Sequence, residues 1–304
     1  MYQVAHNLHD KHHKLPASWQ QPYMDLPYLA YFQLTEEPFS TVPSPRYFFL
    51  TPTHGTALEK TAFVVGAKKG LATVFGDTGT GKSSLARLLH QKFLDNSFLS
   101  TLLTNPSYPT PNSFLRTIAQ EFGTTKTDKS FKGMLDIFKE FLFSQAIEQH
   151  KTVVLIIDEA QTLKPPLVEL LRQLINYETN DMKLLQLVLF AQEELRNTLA
   201  KPKLRNFRSR IVMASTLERL SLDELRAMLT FRWEVASGGK RHPFTEEGVE
   251  AIFQHAEGMP REANILADNA LLLAYYRKLR QIAPKLIHQV AADRRDNLTR
   301  KEDA

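Results

Sequence analysis

The chain has 304 residues, enough for one large domain or two, and its 43% hydrophobic and 23% charged content is that of a globular protein with a substantial core. It has no cysteine, which excludes disulfides and thiolate metal sites, and no apolar run as long as a membrane span or apolar signal core at its N-terminus. A formal net charge of +5 permits binding to nucleic acid or anionic lipid without requiring either.

Residues 1–27 are polar, carry Pro16, Pro22 and Pro27, and show no sustained periodicity, so a flexible arm is expected there. The arm holds His6, His9, His12 and His13, a tract that reads either as solvated or as a metal cluster, and no metal is assigned to it. Two aromatic-proline clusters follow, Pro38-Phe39 and residues 45–49, and predict a packed loop segment ahead of the first strand. Residues 53–65 have helical spacing through Ala57, Leu58, Ala62 and Val65. Such a helix can lie against a ligand's base or cover the sheet edge.

Residues 71–93, LATVFGDTGTGKSSLARLLHQKF, read as a short apolar strand, a glycine loop and an amphipathic helix. Within them Gly76-Asp77-Thr78-Gly79-Thr80-Gly81-Lys82-Ser83 fits G-x-x-x-x-G-K-[ST], and Ser84 follows. Glycines at 76, 79 and 81 let the backbone turn sharply and approach a ligand closely. The loop N–H groups then form an anion nest at a helix N-terminus, where the dipole also favours phosphate. Lys82 is spaced to reach the β- and γ-phosphates, and the Ser83 hydroxyl to ligate Mg²⁺. A plain glycine turn before a helix is the competing reading, and the strand–loop–helix context argues for a nucleotide-binding loop. With no cysteine and no membrane span, a cytoplasmic protein is expected.

Residues 98–103 read as a second strand, and 111–122 and 131–149 as helices. The run TVVLIIDEAQ at 152–161 is a strand buried on both faces, as in a parallel sheet, with an acidic pair at its carboxyl end. Asp158 is placed to hold the Mg²⁺ shell and Glu159 to orient and polarise an attacking water. A helix with proline in its first turn is expected at 165–177 and a fourth strand at 184–190. Strands alternating with helices of this length predict a doubly wound parallel sheet, an α/β P-loop fold. Gln192, just past the fourth strand, is either a γ-phosphate sensor or a surface glutamine.

Residues 201–212, KPKLRNFRSRIV, gather Lys201, Lys203, Arg205, Arg208 and Arg210. This segment can be a solvated loop, a phosphate-backbone contact, or the source of an arginine supplied to a neighbouring subunit's ATP. Arg210 is the first choice for that arginine and Arg208 the second. From Ser221 the pattern is all helical: a helix at 222–235 with Ser221 and Glu224 at capping-box spacing, one at 245–257, and one through 276 that opens at Gly258-Met259-Pro260-Arg261. Arg261 either folds back on the nucleotide or forms an ordinary ion pair. The expected division is an arm at 1–27, an ATPase core at 28–217, a small helical lid at 218–293 and a tail at 294–304.

In this order the features resemble an AAA+ ATPase. The phrases FQLTEEPFSTVPSPRYFFLTPTHGTALEK, GDTGTGKSSLARLLHQKF, VVLIIDEAQTL, LQLVLFAQEEL and GMPREANILADNALL are similar, over residues 30–290, to the general secretion pathway protein A type of ATPase. That group is related to the ATP-binding proteins of transposons such as TniB and TnsC, and more distantly to origin-recognition ATPases. The resemblance implies ATP and Mg²⁺ as ligands, catalytic roles for Lys82, Asp158 and Glu159, and Gln192 as sensor 1, where Asn, Ser or Thr is commoner. It also implies Arg261 as sensor 2, Arg210 as the trans-acting finger, and Asn105 as a switch partner for Glu159. Secretion-type members often continue into a membrane segment and a peptidoglycan-binding region, neither of which is in this sequence.

Three functions are compatible with these residues. The first is a DNA-associated regulator of transposition type that forms ATP-dependent rings or filaments of its own copies on duplex DNA, beside a transposase. The second is an assembly ATPase for a secretion or pilus system, working on protein partners. The third is a non-hydrolysing scaffold that reads ATP occupancy, against which the intact Glu159 argues.

Overall fold

A computed structural model of the chain describes residues 26–299. The expected arm, with its four histidines, lies outside them except for Leu26 and Pro27. The described residues form five parallel strands: β1 (Leu71–Gly76), β2 (Phe98–Leu103), β3 (Thr152–Ile157), β4 (Leu185–Ala191) and β5 (Ile211–Leu217). Their order across the sheet is β2-β3-β4-β1-β5. The apolar runs β1, β3 and β4 are buried at every position, as central parallel strands must be when helices cover both faces.

One face is covered by α2 (Pro52–Gly66) and α3 (Lys82–Lys92), whose Ala57, Val65, Leu85 and Leu89 pack on Val74, Val154, Val188 and Phe190. The other carries α4 (Pro111–Glu121), α5 (Phe131–Phe143) and α6 (Pro165–Leu174), which bury Phe114, Phe138 and Leu171 with Phe75, Leu155 and Leu187. This is the expected doubly wound sheet. The helix expected through residue 149 keeps its α-helical ladder only to Phe143 and continues as a π turn, Ser144–Glu148.

The fifth strand was not anticipated. Residues 211–217 alternate between half-buried and exposed positions at the sheet edge, and their second half, Ala214, Ser215 and Thr216, is small or polar. An edge strand of that composition lacks the continuous apolar run of its neighbours. Pairing with β1 brings Leu217 level with Gly76, so β5 ends beside the glycine loop.

Two short helices, α7 (Glu193–Leu199) and α8 (Arg205–Arg208), join β4 to β5. Beyond the sheet, α9 (Leu222–Ser237), α10 (Glu246–Ala256), α11 (Pro260–Tyr276) and α12 (Pro284–Thr299) form a helical module with its own core around Leu229, Ile252, Leu271 and Ile287. The start of α9 is fixed by the expected reciprocal cap: the Glu224 N–H donates to Ser221 Oγ at 3.2 Å and the Ser221 N–H to Glu224 Oε2 at 2.8 Å. The tail expected from residue 294 is helical to Thr299, as part of α12.

Residues 26–49 form a strap that opens with α1 (Pro27–Phe32) and joins the module's core through Tyr28, Leu34, Phe39 and Tyr47, although residues 28–49 were expected to belong with the sheet. Tyr28 donates its hydroxyl hydrogen to Asp268 Oδ1 of α11 at 2.5 Å. Arg232 of α9, 9% exposed, donates from Nε to the Pro38 carbonyl and from Nη2 to the Ser40 carbonyl, both at 2.7 Å, and from Nη1 to the Tyr47 carbonyl at 3.3 Å. Burial brings its pKa down to about 10, which leaves it protonated at neutral pH.

Arg232 is thus the knot that ties the strap to the lid. Truncation in Arg232→Ala orphans the strap carbonyls and should lower stability by about 3 kcal/mol. Chemical denaturation followed by circular dichroism checks this; a variant within experimental error of the wild type would mean that the strap is not held by this side chain.

Candidate functional site

The site begins where β1 ends. The backbone turns through residues 76–81 with Gly79 at φ +90° and Gly81 at φ +101°, conformations that side-chain-bearing residues rarely adopt. The space is as restrictive as the angles. A Cβ at Gly79 would sit 2.9 Å from Arg261 Cβ, and one at Gly81 would sit 2.9 Å from His54 Nε2. Lys82 opens α3, is almost fully buried, and donates from Nζ to the Gly76 and Asp77 carbonyls at 2.8 Å each. Thr80 Oγ1 donates to the Asp77 carbonyl at 2.9 Å and closes the turn on itself.

The acidic pair lies at the end of β3, beside the loop. Asp158, 4% exposed, accepts from the Glu159 N–H at 3.0 Å, and the nearby Ser83 hydroxyl favours its charged form. Glu159 has φ +55°, a left-handed conformation for a residue with a full side chain, and strain of this kind gathers at functional positions. Its Oε2 accepts from Gln161 Nε2 and, at 3.4 Å, from Gln192 Nε2. Gln192 in turn accepts at Oε1 from the Thr78 hydroxyl at 2.9 Å. A continuous polar chain therefore runs from the acid at the end of β3, through the residue after β4, to the glycine loop.

Burial holds the Asp158 carboxyl above its usual range even though Ser83, the Glu159 N–H and Lys82 oppose the shift. Burial also holds the Lys82 ammonium below its usual range, against the pull of Glu159, Asp158 and Asp77. A half-compensated buried cation beside a half-compensated buried anion suits a ligand that brings both phosphate oxygens and a metal ion. Ser83 and Asp158 are the residues that can hold the metal; the loop N–H groups and Lys82 can hold the phosphates.

The rest of the cleft is walled by the strap and the lid. The strap contributes residues 40–44 and 47–49, the loop residues 78–84, including Ser84, and the lid Met228, Arg261 and Asn264. Asn264 is 6% exposed and its Oδ1 has no hydrogen-bond partner, an acceptor suited to the exocyclic amino group of a base. The Arg261 N–H donates to the Gly79 carbonyl at 3.3 Å, so α11 starts directly on the loop. Of the alternatives left open for the helix at 53–65, sheet cover is seen: α2 packs on the sheet, and its first turn also reaches the glycine loop through His54.

Two residues of this region carried no sequence signal. The buried His54 has Nε2 2.9 Å from the Thr80 carbonyl, which can only accept, so Nε2 carries the proton and Nδ1 accepts from the Thr51 hydroxyl. Burial keeps its pKa below that of a solvated histidine, consistent with the neutral tautomer. Arg219, between β5 and α9, donates from Nε and Nη2 to Asp77 Oδ2 at 3.3 and 3.2 Å and from Nη1 to Glu257 Oε2 of the lid at 3.0 Å. Asp77, at an x position of the glycine-loop motif, is the anchor of that bridge.

Other expected residues lie elsewhere. Asn105 is exposed beyond the end of β2, and Glu159 Oε2 is engaged by Gln161 and Gln192 instead. Lys201, Lys203, Arg205, Arg208 and Arg210 are all exposed, with Leu204 and Phe207 as the segment's buried anchors. Arg208 reaches back to the Leu199 and Ala200 carbonyls at 3.5 and 3.4 Å. Arg210 precedes the amino end of β5, a strand length of about 20 Å from the loop in its own chain.

A family model described as an AAA domain matches residues 66–199. General secretion pathway protein A of Aeromonas hydrophila is 35% identical over 251 residues, which are 82% of this chain and 45% of that protein. The chain thus spans less than half the length of this curated relative. Cdc6p of Pyrobaculum aerophilum superposes with a TM-score of 0.66 at 16% identity, over 86% of this chain and 71% of that one. The ORC1 protein of Aeropyrum pernix, solved in complex with DNA, gives 0.64 at 18% identity, over 88% and 72%. At these identities the two structures speak for the fold alone. Glycine loop, acidic strand end, strand order, helical module and the secretion-protein relative together make this chain a member of the AAA+ P-loop family, of the general secretion pathway protein A type.

Proposed function

We propose that the chain binds Mg²⁺-ATP in the cleft between sheet, strap and lid, hydrolyses it, and passes the change of state to a macromolecular partner. The observation that carries this reading is the polar chain from Glu159 through Gln192 to Thr78, which links the candidate base to the phosphate loop. A loop that only held nucleotide would not need a strained acid joined to it.

The reading assigns each residue a task. Lys82 leaves the Gly76 and Asp77 carbonyls for the β- and γ-phosphates, as the loop N–H groups from Gly76 to Ser84 take the remaining oxygens. Ser83 and Asp158 would hold Mg²⁺, which would supply charge neutralisation at the phosphates. Glu159 orients the attacking water and accepts its proton. Gln192 senses the γ-phosphate: a phosphate beside Thr78 competes for that hydroxyl, and the release of Gln192 alters how Glu159 is held. Arg261 closes onto the phosphates from the lid.

Arg210, exposed and a strand length from its own loop, suits an arginine delivered to a neighbouring copy, and the reading therefore includes ATP-dependent assembly into a ring or filament. Two readings of the partner each rest on one observation. The five exposed cations of residues 201–210 suit the phosphate backbone of duplex DNA, as a transposition-type regulator beside a transposase would need. The 35% identity to general secretion pathway protein A favours a protein partner in a secretion or pilus assembly. Among the described residues no helix is long and apolar enough to cross a membrane.

Three outcomes follow. Lys82→Ala should abolish binding of a fluorescent ATP analogue, whereas Glu159→Gln should keep binding and lose at least about a hundredfold in phosphate release. Undiminished turnover in Glu159→Gln would remove that residue as the base. Arg210→Ala subunits mixed with Glu159→Gln subunits should regain turnover that neither has alone; no regain at any ratio, with both still assembling, contradicts a shared site. Duplex DNA should stimulate turnover in a way that fades steeply with salt. Turnover indifferent to DNA would leave the protein-partner reading standing.

A further inference from the structure

A glycine turn serves as an anion nest only while its N–H groups, and not its carbonyls, point inward. A trans peptide unit is planar, with its C=O and N–H facing opposite ways, so holding one fixes the other. The unit between Thr80 and Gly81 is easily turned over, because Gly81, at φ +101°, has no side chain to favour one sign of φ. Turned over, it would set a carbonyl oxygen where a phosphate oxygen is to sit.

His54 holds that unit from outside the turn, through Nε2 and the Thr80 carbonyl at 2.9 Å. The ring is itself fixed on its other sides. It is buried, and its Nδ1 meets the Thr51 hydroxyl at 2.5 Å. Thr51 also caps α2 by accepting from the His54 N–H at 3.3 Å, so the cap and the ring are set by one residue. The Phe48 ring of the strap stands edge-on to the imidazole, with centroids 5.0 Å apart and planes at 83°. Thr51, donating to Nδ1, leaves the ring proton on Nε2, where the Thr80 carbonyl needs it. With the Thr80 carbonyl facing α2, the Gly81 N–H points away from α2 and into the turn.

We infer that His54 is a positioning residue for phosphate: by holding the Thr80 carbonyl outward it presents the Gly81 N–H to the ligand, and it does so as the Nε2–H tautomer that Thr51 imposes. The inference rests on the reading of the turn as a triphosphate site. It extends that site beyond the glycine motif, to the first turn of α2 and, through Phe48, to the strap. An N–H aimed at a phosphate oxygen makes a charge-assisted hydrogen bond, so an orienting residue that never touches the ligand still bears on its affinity.

Inorganic tripolyphosphate and Mg²⁺-ATP are the probes, titrated into the full chain by calorimetry. His54→Gln keeps an amide donor near the place of Nε2, whereas His54→Asn keeps a group near Nδ1 and loses the donor to Thr80. His54→Asn should weaken both probes about tenfold, with His54→Gln within about twofold of the wild type. Equal losses in the two variants, or wild-type affinity in His54→Asn, overturn the inference. The unaltered chain gives a second test that needs no variant to fold. Nitrogen NMR of the imidazole should show the proton on Nε2, and the Gly81 amide should shift as tripolyphosphate is added. A proton on Nδ1, or a Gly81 amide unmoved at saturation, also overturns it. Tripolyphosphate bound in a His54-dependent way by a chain that releases no phosphate from ATP would uphold the inference and remove only the hydrolysis reading.

Discussion

Everything at the candidate site depends on how little room surrounds the turn between β1 and α3. Each glycine of the loop faces a different part of the molecule. Gly76 abuts the end of β5 at the Leu217 carbonyl, Gly79 the first turn of α11, and Gly81 the His54 ring of α2. Glycine is therefore required here for packing as well as for approach to a ligand. A methyl group at Gly79 or Gly81 would push away the lid or the helix that buttresses the loop, in addition to meeting an unfavourable φ.

From that constraint the coupling of the parts follows. Because the loop touches sheet, lid and α2 at once, its state is felt by all three. Arg219 strengthens the connection by bonding Asp77 of the loop to Glu257 of the lid. This bridge is exposed and screened by solvent, so its value lies in geometry and reversibility more than in stability. Arg232 does the opposite task in the dry interior, where three strap carbonyls fix the strap to α9 permanently. Strap and lid are therefore joined into one wall, beside a loop wired through Thr78 and Gln192 to the acid at the end of β3.

Much of this was legible in the sequence because it rests on local rules. Unbroken apolar runs name the buried strands, glycine spacing names the loop, and Ser221 with Glu224 names the start of α9. What escaped reading depends on contacts across long sequence separations. The pairing of Arg232 with residues 38–47 has no periodic signature, and nothing about Arg219 or His54 in the sequence says which backbone or carboxylate each will meet. β5 escaped because an edge strand alternates exposure and tolerates small polar residues. Assigning residues 28–49 to the sheet's domain followed chain order, whereas in space the apolar side chains of that segment complete the helical core.

A nucleotide seated in this cleft would be held at once by loop, strap and lid. Hydrogen exchange read by mass spectrometry, with and without Mg²⁺-ATP, tests it most directly. Added protection is expected together in residues 40–49, 76–84 and 258–264, with residues 201–210 unchanged at concentrations too low for assembly. Protection confined to one of the three segments, or absent from residues 76–84, would contradict it.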